Sequence, residues 1–294
     1  MENNQPLFSV LIANYNNGKY LMDAINSVRK QTYTNWEIIL VDDASTDNSH
    51  DLYKKLEKDE RIHIYYNEQN QGCGYTKRRC AELANGDLCG FLDPDDVIMP
   101  NALQLMVDTH VCNPNASLIY SQHVISNECL QDLSKPIGSS LEMGVSYLES
   151  PKGGPCPFAT FKKCLYVLTG GISDIYKRAV DQDLYLRLEE VGEIKFVDQV
   201  LYIYRQGTGL NISLGNTNEM KALCWDLFAR IEACKRRGLD IDKYAFRNLI
   251  YNINEIKASS AWTKEKEIRQ SKTYRIGRFI LRPIRIIKLL NKKR

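Results

Sequence analysis

Three carboxylates stand within four residues in the segment GFLDPDDVIMP, residues 90–100, where an apolar run ends in Asp93, Asp95 and Asp96. Adjacent carboxylates raise one another's proton affinity unless a cation lies among them. Pro94 predicts a rigid turn, and the helix that follows near Met99 and Pro100 needs only one capping residue. Oxygen-only ligands suit a hard divalent ion such as Mg²⁺ or Mn²⁺, which takes one or two carboxylates together with phosphate oxygens and water. The spacing therefore predicts a site for a metal that binds with a diphosphate.

Two other polar segments follow apolar runs in the same way: NYNNG at residues 14–18 and DDASTDNS at residues 42–49. An Asn/Gly turn and a helix N-cap are ordinary alternatives for them. Capping does not, however, explain Asp42 and Asp43.

Strands and helices must position these three polar segments relative to one another. LFSVLIA, WEIILVD, RIHIYYN and DLCGFLD are typical of strands, and KYLMDAINSVRK and DLYKKLEK between them have the apolar spacing of helices. The alternation predicts an α/β fold with a mostly parallel sheet and helices on both faces. In such sheets ligands bind beyond the carboxyl ends of the strands, so we expect the three polar loops to meet at one edge.

The order of five motifs resembles the family 2 glycosyltransferases of the GT-A fold, over about residues 7 to 206. The motifs are SVLIANYNNGKYL, EIILVDDASTDNS, NQGCG, GDLCGFLDPDD and AVDQDLYLRLEEVGEIKFVDQVLYIYR. The resemblance implies a Rossmann-like GT-A sheet and a bacterial, inverting hexosyltransferase that uses Mn²⁺ or Mg²⁺.

The resemblance also implies roles for individual residues on the donor side. Asp95 matches the metal ligand of the Asp-x-Asp motif, and Asp93 matches its first acid, near the metal and the ribose. Asp43 matches the acid that reads the base, usually uracil. The segment that packs along the nucleoside corresponds to Ala13, Asn14 and Tyr15, and contacts near the nucleotide and its diphosphate correspond to Lys77 and Arg205. The family pattern usually continues with Asn after Lys77, where this chain has Arg78.

On the acceptor side, a sugar hydroxyl needs a base that removes its proton. Asp181 in AVDQDLYLR matches the family's catalytic acid residue, and Asp183 follows two positions later. From spacing alone, both can equally be acids in the first turn of a helix, where the helix dipole favours negative charge. The resemblance favours Asp181 as the base. It implies a direct displacement, with inversion at the anomeric carbon, in which a nucleoside diphosphate, usually UDP in this family, leaves and the sugar passes to a saccharide or lipid-linked saccharide acceptor.

The amino-acid composition limits the classes of protein to which this chain can belong. The 294 residues are 44% hydrophobic and 26% charged, enough to bury a core without metal or disulfides. The nine cysteines show no CxxC pair, which indicates reduced thiols. We find no apolar run of 18 residues and no signal-peptide pattern, and therefore expect a cytoplasmic chain that does not span a membrane.

Charge is distributed unevenly along the chain. Residues 264–294 hold 12 Lys/Arg and two Asp/Glu, whereas the rest of the chain holds 27 and 34. A helical wheel of TYRIGRFILRPIRIIKLLNKKR separates basic from apolar residues, although Pro283 would kink such a helix. This tail is typical of an anchor on an anionic membrane surface, here the inner face of the cytoplasmic membrane. A basic face packed on the acidic body is the alternative, and the tail has too few aromatics and no module for nucleic acid.

We expect three parts: a glycosyltransferase domain at residues 1–215, a helical extension at 216–262 and the basic tail at 263–294. The segment YRQGTGLNIS, residues 204–213, resembles the family's flexible segment that closes over substrate. Two other functions are compatible with such a sheet. A non-catalytic scaffold that binds a nucleotide-sugar or a membrane would not need Asp93, Asp95 and Asp181 together, and a nucleotidyltransferase would need a Gly/Arg-rich loop after the first strand.

Overall fold

The computed structural model describes residues 5–150, 154–208, 216–246 and 250, with the side chains of 216–220 excepted. The chain divides into two units, Met1–Ile212 and Ser213–Arg294. The first unit contains all the strands of the described residues, and the second contains helix α7 and one π-helical turn.

The strands are β1 Phe8–Asn14, β2 Trp36–Asp42, β3 Ile62–Tyr66, β4 Leu88–Phe91, β5 Val97–Ile98, β6 Ala116–Ser126, β7 Ala159–Lys162 and β8 Glu193–Arg205. The helices are α1 Gly18–Arg29, α2 Ser49–Leu56, α3 Cys73–Leu83, α4 Ala102–Cys112, α5 Lys163–Leu168, α6 Val180–Glu189 and α7 Asn216–Arg237, followed by the π-helical turn Asp242–Phe246.

The eight strands form one sheet in the order β3-β2-β1-β4-β7-β6-β8-β5. The first four are parallel, as the alternation of strands and helices predicts. Strand β7 then pairs antiparallel with both β4 and β6, β6 pairs parallel with β8, and β5 pairs antiparallel with β8. The sheet is therefore parallel in its first half and mixed in its second half.

The central strands are buried because they carry continuous apolar runs. Every residue of β2 is buried, and β1 is buried except at Ala13, which is partly exposed. Helix α1 packs Leu21, Ile25 and Val28 into the core at the spacing of one helix face. This core fixes the carboxyl ends of β1, β2 and β4, and with them the three polar loops.

No helix in the described part of the chain is long and apolar enough to cross a membrane. All nine cysteines are free thiols.

Candidate active site

The loop after β4, residues 93–96 and called the DPDD loop below, separates its three carboxylates into two environments. It closes as a turn in which Asp96 N donates to Asp93 O at 3.0 Å. The side chain of Asp96 is 1% exposed, and it accepts hydrogen bonds from Tyr202 Oη at 2.6 Å and from Arg205 N at 2.8 Å. Asp96 is therefore bonded within the chain, and the expected metal site reduces to Asp93 and Asp95.

The other two acids have the electrostatics of a cation site. Burial and, next, the neighbouring charge of Asp93 raise the pKa of Asp95 to about 6, against the opposing effects of Arg205 and a hydrogen bond from Thr208. A carboxylate that binds protons more tightly than usual beside a second carboxylate gains from a nearby cation. The donor set consists of hard oxygens, as Mg²⁺ and Mn²⁺ prefer.

The described ranges contain no group of three or more His, Cys, Asp or Glu residues that could hold a metal alone. Two carboxylates nevertheless fit an ion that completes its shell with water and the phosphate oxygens of a ligand. Asp93 and Asp95 would hold the ion, as the sequence resemblance implies.

Lys77 on α3 joins the DPDD loop to the candidate base. Its ammonium lies 3.0 Å from Asp93 Oδ1, and its side chain is 16% exposed. Burial by itself would lower the pKa of Lys77, but the charges of Asp93 and Asp181, among others, raise it above its ordinary value. Lys77 is therefore a fixed positive charge close to both acids.

Asp181 lies in the first turn of α6, with its side chain in contact with solvent. Desolvation by the surrounding protein raises its pKa, Lys77 lowers it and Asp93 raises it again. Asp183 differs because it is 1% exposed and forms an ion pair with Arg187 at 2.7 Å. Of the two acids in this turn, Asp181 is the one that an acceptor can reach.

The sequence analysis missed Tyr185, which follows Asp181 at i+4 on the same helix face. Tyr185 is buried, and its pKa is raised well above the ordinary value by burial and then by the charge of Asp181. Helical spacing from the candidate base was a signal that could have identified it.

Asp43 organises the loop between β3 and α3. Its Oδ1 accepts from Asn67 Nδ2 at 2.7 Å and from Gln71 N at 2.8 Å, and its Oδ2 accepts from Gly72 N at 2.9 Å. Because a carboxylate has about four acceptor positions, one remains for a further donor such as a base N–H. The predicted contact with the base is compatible with this geometry and stays a prediction.

The predicted nucleoside segment is divided between buried and exposed side chains. Asn14 is fully buried, and its Nδ2 donates to Tyr53 Oη at 2.7 Å and to Ser49 Oγ at 3.1 Å. Its side chain thus holds β1 to the start of α2. Ala13 is partly exposed and Tyr15 is 49% exposed, so these two can face a nucleoside.

Three non-glycine residues in these loops have a left-handed backbone: Asn16 with φ 52°, Ala44 with φ 61° and Ala179 with φ 53°. Such conformations cost about 1–3 kcal/mol each and persist where surrounding contacts impose them. They lie beside the predicted nucleoside segment, Asp43 and Asp181, respectively. Three of the five such residues in the described part of the chain therefore lie beside the candidate site.

Arg205, the last residue of β8, is 3% exposed. Its Nε donates to Asp95 O and one terminal nitrogen donates to Asp23 Oδ2, both at 2.7 Å. The structure thus places Arg205 behind the DPDD loop. Its predicted diphosphate contact stays a prediction.

Arg78, the departure from the family pattern, faces the segment before Asp181. Its Nε donates to Glu82 Oε1 at 2.8 Å and a terminal nitrogen donates to Ile172 O at 3.2 Å. The basic tail and residues 209–213 of the predicted closing segment lie outside the described residues.

The chain matches the model of glycosyl transferase family 2 over residues 9–165. It is 43% identical over 97 residues, 33% of this chain and 38% of the relative, to a putative teichuronic acid biosynthesis glycosyltransferase, TuaG, of Bacillus subtilis. It is 26% identical over 265 residues, 88% of this chain and 36% of the relative, to chondroitin synthase of Escherichia coli. The chain thus spans little more than a third of the length of these relatives.

Two solved structures share the fold. Residues 1–349 of S. aureus TarS in complex with UDP-GlcNAc superpose with a TM-score of 0.69 at 18% identity, over 91% of this chain and 78% of that fragment. A mannosyltransferase of Pyrobaculum calidifontis in complex with GDP-Man and Mn²⁺ gives 0.60 at 14% identity, over 93% of this chain and 83% of that protein. The fold is the Rossmann-like GT-A architecture that the sequence analysis expects. With more than half of its length matched by the family model, the chain belongs to glycosyl transferase family 2.

Proposed function

We propose that the protein is an inverting, metal-dependent glycosyltransferase that moves a sugar from a nucleotide-sugar, most simply a UDP-sugar, to a hydroxyl of a saccharide or lipid-linked saccharide. The observation that carries the proposal is the grouping of Asp93 and Asp181 around Lys77, whose Nζ lies 3.0 Å from Asp93 Oδ1 and whose pKa is raised by the charge of Asp181. Asp95 lies in the same loop, two residues after Asp93. An acid pair for the donor diphosphate and a separate acid for the acceptor are the two groups that this reaction needs.

In the proposed reaction, Asp181 accepts the proton of the acceptor hydroxyl as its oxygen forms a bond to the anomeric carbon. The bond from that carbon to the diphosphate oxygen breaks on the opposite face, and its electron pair leaves with the nucleoside diphosphate. A raised pKa suits Asp181 to this role, since a general base works best when its pKa approaches the working pH. A divalent cation held by Asp93 and Asp95 would supply neutralisation of the charge on the leaving diphosphate.

Lys77 contributes a second positive charge on the donor side. It keeps Asp93 in place and can donate to a phosphate oxygen with the two protons that its ion pair leaves over. Asp43 would accept from the base through its remaining acceptor position, while Ala13 and Tyr15 would line the nucleoside.

The relatives support this donor and role. TarS binds UDP and UDP-GlcNAc, and TuaG and chondroitin synthase are named for the synthesis of polysaccharides. The GDP-Man and Mn²⁺ complex of the Pyrobaculum enzyme supports Mn²⁺ as the ion and makes a guanosine diphosphate sugar the first alternative donor. We therefore propose a role in cell-surface polysaccharide or glycolipid assembly.

Thermal unfolding with UDP, with and without Mn²⁺, tests the donor site. A ligand at about 100 times its Kd stabilises the fold by about 2.7 kcal/mol. We expect this stabilisation with UDP and Mn²⁺ together, its loss in Asp95→Asn, and its retention in the control Asp51→Asn, which changes an exposed acid of α2. No stabilisation of the wild type by UDP, GDP or their Mn²⁺ complexes would refute the proposal.

Asp181→Asn tests the base. This variant should bind UDP and Mn²⁺ as the wild type does, but release UDP from a UDP-sugar and acceptor about 10²–10⁴-fold more slowly. Inversion itself is read from the anomeric configuration of the product by NMR. Full activity of Asp181→Asn would show that another residue is the base.

We further propose that the basic tail attaches the protein to the inner face of the cytoplasmic membrane, supported by its charge and apolar pattern. Flotation with anionic liposomes of the full chain and of a chain that ends at Thr263 tests this. Equal flotation of both would refute the anchor.

A further inference from the structure

Two residues of β8 form hydrogen bonds to the DPDD loop. We propose that Asp96, Tyr202 and Arg205 are positioning residues that fix Asp93 and Asp95 in the geometry in which they bind a divalent cation. The inference rests on the proposed function of the loop, and it assigns to Asp96 and Arg205 a role other than contact with metal or diphosphate.

Tyr202 and Asp96 hold the two ends of the loop. Tyr202 Oη accepts from Asp93 N at 3.3 Å and donates to Asp96 Oδ2 at 2.6 Å. The other carboxylate oxygen of Asp96 accepts from Arg205 N at 2.8 Å. Because Tyr202 and Asp96 are 2% and 1% exposed, water does not compete for these bonds. Asp93, through its backbone N–H, and Asp96, through its carboxylate, are thus both bonded to β8.

Arg205 holds the middle of the loop and joins it to two other elements. Its Nε donates to Asp95 O, and its two terminal nitrogens donate to Glu128 O after β6 and to Asp23 Oδ2 on α1, all at 2.7 Å. The guanidinium carbon also lies 4.7 Å from the centre of the Tyr20 ring. All three guanidinium nitrogens are therefore used, in directions that a lysine ammonium cannot reproduce.

The hydrogen bonds from Tyr202 and Arg205 fix the backbone of the DPDD loop, and the fixed backbone limits the directions that the side chain of Asp95 can take. Hydrogen bonds around a metal ligand pre-organise it, so the ligand need not lose conformational freedom when the ion binds. Without them, Asp93 and Asp95 would still be present, but they would have to be ordered by the ion itself. Loss of these bonds should therefore weaken metal-dependent binding more than binding of the nucleotide alone.

The test uses the full chain and four proteins: wild type, Tyr202→Phe, Arg205→Lys, and Tyr33→Phe as a matched control. Tyr33 is also a buried tyrosine, and its hydroxyl donates to Pro6 O at 2.5 Å before β1, at the other end of that strand from the site. UDP affinity is measured calorimetrically with Mn²⁺ and with EDTA, and Mn²⁺ binding alone is followed by EPR of the free ion.

We expect Tyr202→Phe and Arg205→Lys to lower Mn²⁺ affinity, and the gain in UDP affinity that Mn²⁺ brings, by about 10-fold or more. The UDP affinity of Tyr202→Phe in EDTA should stay near that of the wild type, which a general loss of structure would not allow. Tyr33→Phe should keep the wild-type response to Mn²⁺. If Arg205→Lys does not fold, Tyr202→Phe alone tests the inference, because that substitution removes only one oxygen atom and should leave the fold intact.

Two results would overturn the inference. In the first, the wild type binds UDP in a metal-dependent way and folded Tyr202→Phe responds to Mn²⁺ to the same extent. This result would refute the positioning role but would leave the proposed function intact. In the second, the wild type shows no metal-dependent nucleotide binding, which would refute both the positioning role and the proposed function.

Discussion

Lys77 Nζ lies 3.0 Å from Asp93 Oδ1, so the first acid of the DPDD loop already has a cationic partner from α3. A metal that binds Asp93 must share this carboxylate with Lys77. The same ammonium lies within the electrostatic reach of Asp181. One side chain thus links Asp93 and Asp181, the acids of the proposed donor and acceptor halves of the site.

Lys77→Met should change two affinities in opposite directions. Removal of a positive charge beside Asp93 should raise the affinity for Mn²⁺ alone several-fold, because like charges no longer repel. UDP affinity in the presence of Mn²⁺ should fall about 10- to 100-fold, since a charge-assisted hydrogen bond to phosphate contributes about 1.5–3 kcal/mol. Calorimetry of Mn²⁺ and of UDP measures both, with Lys195→Met, which breaks an ion pair at the start of β8, as control. A fall in both affinities would contradict competition between Lys77 and the metal.

Asp43→Asn should destabilise the fold even without nucleotide. The carboxylate accepts three hydrogen bonds from the loop of residues 67–72, and an amide nitrogen in place of one oxygen would face an N–H donor. A buried donor left unpaired costs about 1–3 kcal/mol. Urea unfolding of the ligand-free protein measures the loss, and Asp51→Asn, at an exposed acid, should show none. Unchanged stability of Asp43→Asn would leave nucleotide contact as the main role of Asp43.

Gly74→Ala should separate α3 from the segment that leads to Asp181. A Cβ at Gly74 would lie 2.5 Å from Tyr176 O and 3.3 Å from Ser173 O, and both atoms belong to the backbone. The helix and the segment must then move apart, with an expected loss of about 1–3 kcal/mol. Chemical unfolding checks this against Tyr75→Ala, at the exposed next position of the helix. Equal effects of the two substitutions would show that the close approach matters little.

His110 should make the fold sensitive to acid. It is 2% exposed, and burial, assisted by the charge of Lys162, lowers its pKa from 6.5 to about 3. As the pH falls below 6.5 the unfolded chain takes up the proton first, so stability declines progressively until about pH 3. At pH 5 the loss from this group is about 1–2 kcal/mol.

His110→Gln checks this, because an amide can still donate to Thr160 Oγ1, which lies 3.0 Å from His110 Nε2, but does not titrate. Urea unfolding at pH 7.5 and pH 5 should show a smaller difference for the variant than for the wild type. Parallel losses in the two proteins would assign the acid sensitivity elsewhere.

The first half of the sheet was predictable because its signals are local. WEIILVD coincides with β2 residue for residue, since a continuous apolar run suits a strand buried on both faces. The antiparallel β7 has no comparable signal: its four residues follow a Gly/Pro-rich segment, and their partners lie in β4 and β6. The expectation of a mostly parallel sheet therefore describes the first half better than the second.

Within the DPDD loop, sequence could locate three acids but not distinguish them. Asp96 differs from Asp95 through Tyr202 and Arg205, which are 106 and 109 residues further along the chain. The contact of Arg78 with Ile172 O spans 94 residues for the same reason. Pairings of this kind depend on sheet order, which the residues around either partner do not encode.

The reversal of direction at β7 also has a consequence for how such proteins diversify. It divides the sheet into β3-β2-β1-β4, which carries Asp43 and the DPDD loop, and β7-β6-β8-β5, which adjoins α6 and Asp181. The two halves are not independent, however, because Tyr202 and Arg205 of β8 form hydrogen bonds to the DPDD loop of the other half. A chimera joined within β7 would therefore have to carry Tyr202 and Arg205 in its incoming β8 for the DPDD loop to keep its hydrogen bonds.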